Sequence, residues 1–443
     1  MRPSAARTRA AGPRWVRLAA FGAAVLVAAC TNQPAPTSSQ GRSSQPTASG
    51  TATAAPPTPL TGHLTVWHSY GPASGTFGSA ELEGFKRILA WMAANNPGLT
   101  IDASYVDPAT INARFEAQSG LGAGPDMFIA ANDDLASEAR AGYLTDLTGR
   151  IDATLAGVGD VALNGALVDA KPYMVPESLT AVAMYYDSTK VSTRPATTDA
   201  LFAFAQAGGR VGVVADPAFG WGFYGAFGGS ILDPSTGSCA ATVTSGVADA
   251  MAYVRTLADQ RSAVVTPVAA TVSDAFLAGR LDMILNDNTV LGDYEHARPG
   301  LAVAPFPTGP VGPGRPLVEE DGWVINSAVT TDQQALAIAA AQQMVSAPAE
   351  QLMATAPGHI PATTTTTPAD PLARAFASAI AGGDPRPQAP ELARYWGPFG
   401  DAWSRAISAD ASAAPDIPSL VAAACAAMDE TPSPSGETPS PSP

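Results

Sequence analysis

The chain has 443 residues, a net charge of −15 and three cysteines. This acidic balance argues against a nucleic-acid partner, whose phosphates need lysine and arginine, and against electrostatic binding to anionic lipid. The sequence contains neither a Walker A loop nor a dinucleotide-binding glycine motif after a strand, so no nucleotide cofactor is expected.

The first 30 residues have the parts of a secretory signal. Residues 1–17 carry five arginines and no acidic side chain, and the apolar stretch Leu18–Ala29 is too short to span a bilayer as a stable helix. A cysteine directly after small residues resembles the lipobox of bacterial lipoproteins. The resemblance implies removal of residues 1–29 and lipid on Cys30, which would anchor the protein to the extracytoplasmic face of the cell membrane. A plain secretory signal with an incidental cysteine is the alternative.

Two segments have the composition of disordered chain. Residues 31–62 are almost wholly Pro, Thr, Ser, Ala, Gly and Gln, and the tail 431–443 is similar. Such segments cannot bury enough apolar surface to offset their ordering entropy. We therefore predict a linker over 30–62, which begins at Cys30, a disordered tail over 431–443, and a folded part between them whose length fits two domains.

The first half of the folded part alternates strands and helices. The predicted elements are a strand at His63–Ser69, a helix around Leu82–Met92, a strand at Leu99–Val106, a helix at Thr110–Ser119 and a strand at Asp126–Ala130. This βαβ rhythm predicts a parallel sheet, in which ligands lie beyond the carboxyl ends of the strands. Those ends carry His68, Tyr70, Asn132 and Asp133.

The second half repeats the pattern without a fixed period. The predicted strands are Ala183–Asp187, Val211–Asp216, Leu281–Asn286, Ala302–Phe306 and Trp323–Asn326. The predicted helices are Asp199–Ala207, Val247–Asp259, Asp332–Val345, Pro371–Ile380, Phe399–Ile407 and Ser419–Met428.

The cysteines and histidines predict no metal site. An oxidising exterior permits a disulfide between Cys239 and Cys425, and two buried free thiols are the alternative. Neither cysteine has a histidine or a second cysteine at ligand spacing. The four histidines are never three or four residues apart, so a helical zinc site is not expected.

A series of segments occurs in a recognisable order along residues 63–428. They are Leu64–Tyr70, Gly124–Asp133, Lys171–Ser178, Tyr185–Asp187, Ala226–Gly229, Ala275–Asn286, Val303–Thr308, Gly322–Trp323, Gly358–Ala362 and Pro390–Trp396. Together they resemble the extracellular solute-binding proteins of the maltose-binding family, the receptors of ABC sugar importers.

The resemblance implies an α/β fold of two lobes, each a mostly parallel sheet flanked by helices, with a hinge between them. We expect the first lobe to contain 63–176 and 306–330, and the second to contain 177–305 and 331–430. The resemblance further implies a monomeric receptor without cofactor or enzymatic activity. It would bind a di- or oligosaccharide between the lobes and deliver it to the permease subunits of an ABC importer.

Family positions give the candidate ligand-binding residues. Trp396 is the expected aromatic platform, and Trp221, Trp323 and Tyr186 are further candidates, with packing inside the protein as the alternative for the tryptophans. Strand alternation allows only one of Tyr185 and Tyr186 to point inward. The polar candidates are His68, Tyr70, Asn132, Asp133, Glu177, Asp287, Asn288 and Glu320. Glu177 lies by the predicted hinge, where it either binds ligand or braces the crossing.

Departures from the family make the predicted pocket more polar and more acidic. The run Asp287-Asn288-Thr289 stands where maltodextrin-binding relatives have Gly-Pro-Trp, and Glu319-Glu320-Asp321 stands where many relatives are apolar. These changes favour a short, hydroxyl-rich sugar or one bearing an amine. Two alternatives stay open: a receptor for a non-sugar solute such as a polyamine, and an extracytoplasmic glycoside hydrolase that uses two carboxylates.

Overall fold

The structure is a computed structural model that describes residues 58–72, 75–408 and 416–430. The predicted signal peptide, Cys30, most of the predicted linker and the tail 431–443 lie outside the described residues. None of the helices in the described ranges is long and apolar enough to cross a membrane.

Most of the strands belong to one mixed sheet. The strands are β1 (Thr61–His68), β2 (Gly98–Tyr105), β3 (Met127–Ala131), β4 (Leu167–Val168), β5 (Lys171–Pro172), β6 (Met174–Asp187), β7 (Val211–Val214), β8 (Ala263–Thr266), β9 (Met283–Asp287), β10 (Leu301–Ala304), β11 (Leu317–Ile325) and β12 (Asp384–Pro385). Their order across the sheet is β2-β1-β3-β11-β6-β9-β7-β8, with β10 beside β6 and β12 beside β11. The short strands β4 and β5 pair separately.

Strand β6 joins the two halves of the sheet. It is 14 residues long, and its first half pairs with β11 while its second half pairs with β9. On one side, β1 is parallel to β2 and β3; on the other, β7 is parallel to β8 and β9. This arrangement, with helices flanking each half, confirms the predicted two-lobed α/β fold.

Helices cover both faces of the sheet. They are α1 (Gly75–Asn95), α2 (Ile111–Ser119), α3 (Leu135–Arg140), α4 (Asp152–Leu155), α5 (Asp160–Gly165), α6 (Thr198–Gln206), α7 (Trp221–Ala226), α8 (Gly246–Ala258), α9 (Ala269–Leu277), α10 (Leu291–Ala297), α11 (Thr331–Met344), α12 (Ala347–Met353), α13 (Pro371–Ile380), α14 (Trp396–Ala406) and α15 (Ile417–Asp429).

Each lobe has one apolar layer on either face of its sheet. In β3, Met127 and Ile129 belong to one buried cluster and Phe128 to another, because successive side chains point to opposite faces. In β9, Met283 and Ile284 divide in the same way between the two clusters of the second lobe. Burial on both faces explains why these strands read as continuous apolar runs.

Helices α11 and α12 pack in the first lobe. Ala337, Ile338 and Met353 are buried with Leu64 and Val66 of β1. The prediction that the second lobe resumes at residue 331 is therefore wrong for residues 331–353, because α11 covers β1 and β11 and α12 packs against α1 in the same core. The other lobe boundaries stay predictions.

A disulfide joins Cys239 to Cys425, with their Cα atoms 5.4 Å apart. Cys425 lies on the buried face of α15, beside Val421 in the main core of the second lobe. The two cysteines are 186 residues apart in sequence, so the bond ties the last helix to a distant loop.

Replacing both Cys239 and Cys425 by alanine should lower the free energy of unfolding by about 2–4 kcal/mol, because the unfolded chain regains the entropy of an open loop. Urea denaturation of the full chain under non-reducing conditions measures this change. Cys30→Ala is the matched control and should leave the midpoint unchanged. An unaltered midpoint in the double variant would contradict a stabilising disulfide.

Candidate functional site

The turn after β3 presents a carboxylate between the lobes. Asn132 is fully buried and fixed on both sides: its amide nitrogen donates to the carbonyl of Gly165 at 3.2 Å, and its amide oxygen accepts from the backbone N–H of Glu320 at 3.3 Å. The next residue, Asp133, is exposed. Asn132 therefore positions the turn, and Asp133 offers the polar group.

Arg386 gathers the charged groups at this position. Its backbone N–H donates to the carbonyl of Val318 at 3.0 Å, which holds the residue against β11. Its guanidinium lies 2.8 Å from an oxygen of Asp133 and 2.9 Å from an oxygen of Glu319. The same group lies 4.8 Å from the ring centroid of Trp396, a cation–π contact. We call Asp133, Glu319, Arg386 and Trp396 the Arg386 cluster.

A groove of about 750 Å³ lies between the lobes, next to the segment that carries Arg386. Arg140 and Asp169, 2.9 Å apart, line it from the first lobe. Trp221 lines it from the second lobe and donates its indole N–H to Asp384 at 3.4 Å. Residues 232–237 and 387–391 also line it. The groove is large enough for a small solute and carries polar groups from both sides.

The acidic run on β11 divides between two faces. Glu319 reaches the Arg386 cluster, whereas Glu320 is buried over Gly165, where an added Cβ would lie 2.5 Å from its carboxylate. Burial, together with the carboxylate of Asp133, raises the pKa of Glu319 to about 7. Burial also raises the pKa of Asp321 well above its ordinary value, with Glu81 adding to the effect. Within this acidic run, Glu319 is thus the residue that pairs with Arg386, and Glu320 is enclosed in the interior.

Three predicted site residues pack around Phe85 of α1. The rings of His68, Tyr70 and Trp323 have centroids 4.8, 5.2 and 5.8 Å from that of Phe85, and all three residues are buried. Burial lowers the pKa of His68 to about 4, so its ring is neutral at pH 7. The structure places these residues in the first-lobe interior, away from the contacts of the Arg386 cluster. For Trp323 this is the core packing that the sequence left open.

The two predicted site residues at the end of β9, Asp287 and Asn288, brace the hinge. Asn288 is fully buried, donates to the carbonyls of Leu179 and Gly358 at 3.0 and 2.8 Å, and accepts from the N–H of Ala181 at 3.0 Å. Asp287 accepts from the N–H of Thr289 at 3.0 Å and so begins a short 3-10 helix. These bonds occupy the side-chain amide of Asn288 and one carboxylate oxygen of Asp287.

The paired tyrosines near the end of β6 take opposite faces. Tyr185 is fully buried and donates its hydroxyl to the carbonyl of Asp287 at 2.8 Å. Tyr186 is half-buried and packs against the main core of the second lobe. Tyr185 is thus the inward residue of the pair, and neither contacts the Arg386 cluster.

Glu177 belongs to a different group of charged residues. It is buried on β6, 3.4 Å from the ring of His359, and Glu81 and Glu350 contact the same ring. We call Glu81, Glu177, Glu350 and His359 the buried acid cluster. Three of its members, Glu177, Glu350 and His359, have the atom types and proximity to hold a metal ion.

The structure adds Glu319 and Arg386 to the candidate site, and neither was among the predicted ligand-binding residues. Strand alternation could have separated Glu319 and Asp321 from Glu320, because residues two apart share a face. Arg386 stands in the loop after β12, with no motif around it. The pairing of β12 with β11, continued by the backbone bond from Arg386 to Val318, brings it to Asp133 and Glu319.

Residues 87–378 match the family described as bacterial extracellular solute-binding protein. The match covers well over half of the chain, and the protein belongs to this family. None of the curated proteins compared with the chain matches it.

Solved structures with the same fold include sugar-binding proteins. The chain is 25% identical to a Thermus thermophilus maltotriose binding protein solved with maltotriose, over 82% of this chain and 98% of that one, with a TM-score of 0.66. It is 19% identical to the GacH receptor of Streptomyces glaucescens, over 83% and 97%, with a TM-score of 0.70. A cyclic maltosyl-maltose binding protein from Arthrobacter globiformis is 20% identical, over 83% and 98%, also with a TM-score of 0.70.

Replacing Arg386 by alanine should lower the free energy of unfolding by about 2 kcal/mol, because it leaves Asp133 and Glu319 close together without a cation. Both carboxylates are partly exposed, so the loss should stay below that of a fully buried pair. Arg315→Ala is the matched control: its pair with Asp384 is more exposed and should contribute under about 1 kcal/mol. Equal losses in urea denaturation at pH 7 would contradict the assignment.

Proposed function

We propose that this protein is an extracytoplasmic receptor that binds a di- or oligosaccharide between its lobes and delivers it to an ABC importer. Lipid on Cys30 would keep the receptor at the membrane where the importer's permease subunits lie. The proposal includes a monomeric state and the absence of enzymatic activity, in keeping with a family of binding proteins.

The Arg386 cluster is the observation that supports a sugar ligand. A pyranose ring has an apolar C–H face that packs on an aromatic side chain, and hydroxyls that both donate and accept hydrogen bonds. Trp396 is half-buried and supplies the aromatic surface, while Asp133, Glu319 and Arg386 supply acceptors and donors. The likeness to a maltotriose binding protein over most of the chain supports the same class of ligand.

One observation favours a second candidate, a cationic solute such as a polyamine. Asp133 and Glu319 place two carboxyl groups on a single guanidinium, that of Arg386, and Asp321 adds a third carboxyl group that repels both. An amine-bearing ligand would offset this excess of acidic groups. The same argument applies to an amino sugar, which would combine both chemistries.

A ligand screen separates these candidates. The full chain carrying Cys30→Ala is heated with neutral mono-, di- and oligosaccharides, amino sugars and polyamines in turn. A ligand at about one hundred times its dissociation constant adds about 2.7 kcal/mol of stability, which raises the unfolding midpoint by several degrees. A shift with a saccharide supports the proposal, whereas shifts with polyamines alone would replace it. Turnover of chromogenic glycosides by the same protein would contradict its non-enzymatic part.

Replacing Trp396 by alanine should weaken binding of the identified sugar by about tenfold or more, because the stacking surface is lost. Calorimetric titration measures the dissociation constant. Trp91→Ala is the control, since Trp91 is also a half-buried tryptophan on a helix but packs against the first-lobe core. Equal affinities in the two variants would remove Trp396 from the site.

An amine-bearing ligand should bind more tightly as the pH rises from 5 to about 7. The pKa of Glu319 is about 7, so below that pH its carboxyl group is mostly protonated. The carboxyl group must release this proton before it can pair with a bound cation. One released proton changes affinity by up to about tenfold per pH unit. Calorimetry in buffers of different ionisation enthalpy measures the proton release. In Glu319→Gln, the affinity for the amine-bearing ligand should no longer depend on pH in this range. Amine binding without proton release would exclude Glu319 from the contact.

A further inference from the structure

The buried acid cluster is assembled from three distant parts of the chain. Glu81 comes from α1, Glu177 from β6, Glu350 from α12, and His359 from the turn that follows α12. All four residues are at least nine-tenths buried. Backbone bonds hold the parts together: the N–H of Leu179 donates to the carbonyl of Ile360 at 2.8 Å, and that of Ala362 to the carbonyl of Glu177 at 2.9 Å.

The imidazole of His359 lies at the centre of the cluster. Its Nδ1 is 3.1 Å from an oxygen of Glu81. Its Nε2 is 3.4 Å from an oxygen of Glu177 and 3.8 Å from an oxygen of Glu350. Among the described residues, neither Nε2 nor any carboxylate oxygen of Glu177 and Glu350 has a hydrogen-bond partner of proper geometry.

This arrangement leaves more negative charge than one imidazole can balance. Three carboxyl groups surround a single ring, and a buried charge without partners is costly. A protonated ring would offset one carboxylate and still leave the oxygens of Glu350 without hydrogen bonds.

We propose that Glu177, Glu350 and Nε2 of His359 bind one divalent metal ion of the zinc class. Histidine nitrogen with two carboxylate oxygens is a common donor set for zinc. Ligand atoms about 2.0–2.2 Å from a tetrahedral ion lie about 3.4 Å from each other, and the separations of 3.4 and 3.8 Å at Nε2 are close to this. The three ligand atoms all lie within 4.8 Å of one another.

Glu81 has a separate role in this site. By accepting the hydrogen on Nδ1 of His359, its carboxylate directs the lone pair of Nε2 toward Glu177 and Glu350. A carboxylate behind a metal-binding histidine fixes the ring and raises its basicity, and its loss weakens metal binding by about 10–100-fold. Glu81 is therefore a positioning residue, whereas Glu177 contributes to the metal site and not to the Arg386 cluster.

The metal would cross-link α12, the turn that follows it and the hinge strand β6, and α1 would be linked only through the bond of Glu81 to His359. Because metal binds the folded state and no such site exists in the unfolded chain, occupancy adds directly to stability. The role is independent of the solute between the lobes. A test that uses metal alone therefore separates failure of this inference from failure of the proposed sugar receptor.

The first test uses the wild-type full chain, purified without a polyhistidine tag. After treatment with a strong chelator and dialysis, the protein is titrated with Zn²⁺, and bound metal is counted by elemental analysis. We expect one equivalent per chain and a higher unfolding midpoint in the zinc-loaded than in the chelated protein. Less than a tenth of an equivalent, with no change in midpoint, would overturn the proposal and leave His359 as an imidazolium between carboxylates.

Variants assign the ligands. His359→Gln and Glu350→Gln should each lose the bound equivalent, and Glu81→Gln should retain it with an affinity about 10–100-fold lower. His63→Gln is the matched control, because His63 also pairs with a carboxylate, that of Asp102 at 2.8 Å, but at the surface. Equal zinc binding by His359→Gln and by the wild type would overturn the proposed site. If a variant does not fold, the comparison of chelated with zinc-loaded wild type decides whether the site binds metal.

Discussion

The pairing of one long strand with two different neighbours is the constraint on which the rest of this structure depends. Strand β6 hydrogen-bonds to β11 along its first half and to β9 along its second, so it belongs to both lobes at once. Its partner β11 also pairs with β3 and with β12, and the register of β11 fixes where the carboxyl end of β3 meets the loop after β12. Asp133, Glu319 and Arg386 come together because their backbones are bound to this shared sheet.

Charge burial unites the two clusters. An acidic chain can keep its carboxylates in water at little cost, yet this one places Glu177, Glu320 and Glu350 in the interior. In the Arg386 cluster, a guanidinium compensates the carboxylates and leaves one side of Trp396 in contact with a cation. In the buried acid cluster a single imidazole faces three carboxyl groups. The first arrangement suits a polar solute between the lobes, and the second suits a cation held inside the protein.

The sequence was a good guide to the class of fold and a partial guide to the site. Apolar runs between turn residues predicted the parallel strands, and motif order predicted two lobes. Trp396 and Asp133 were predicted and lie together. Helix α11 was assigned to the wrong lobe, because an alanine-rich run with one leucine and one isoleucine does not reveal which sheet it covers. The family resemblance implies a stacking tryptophan at the position of Thr289, and the neighbouring Asn288 makes three hydrogen bonds that brace the hinge.

What the sequence determined by itself is local: the periodicity of strands and helices, the acidic balance, the lipobox-like start, and the family of the folded part. These depend on neighbours in the chain. Tertiary structure alone decided which carboxylates meet which cations. Arg386 is more than 250 residues from Asp133, and His359 is 278 residues from Glu81. Partners so far apart are set by the pairing of β6 and β11 and by the packing of α1 and α12, which no spacing in the sequence encodes.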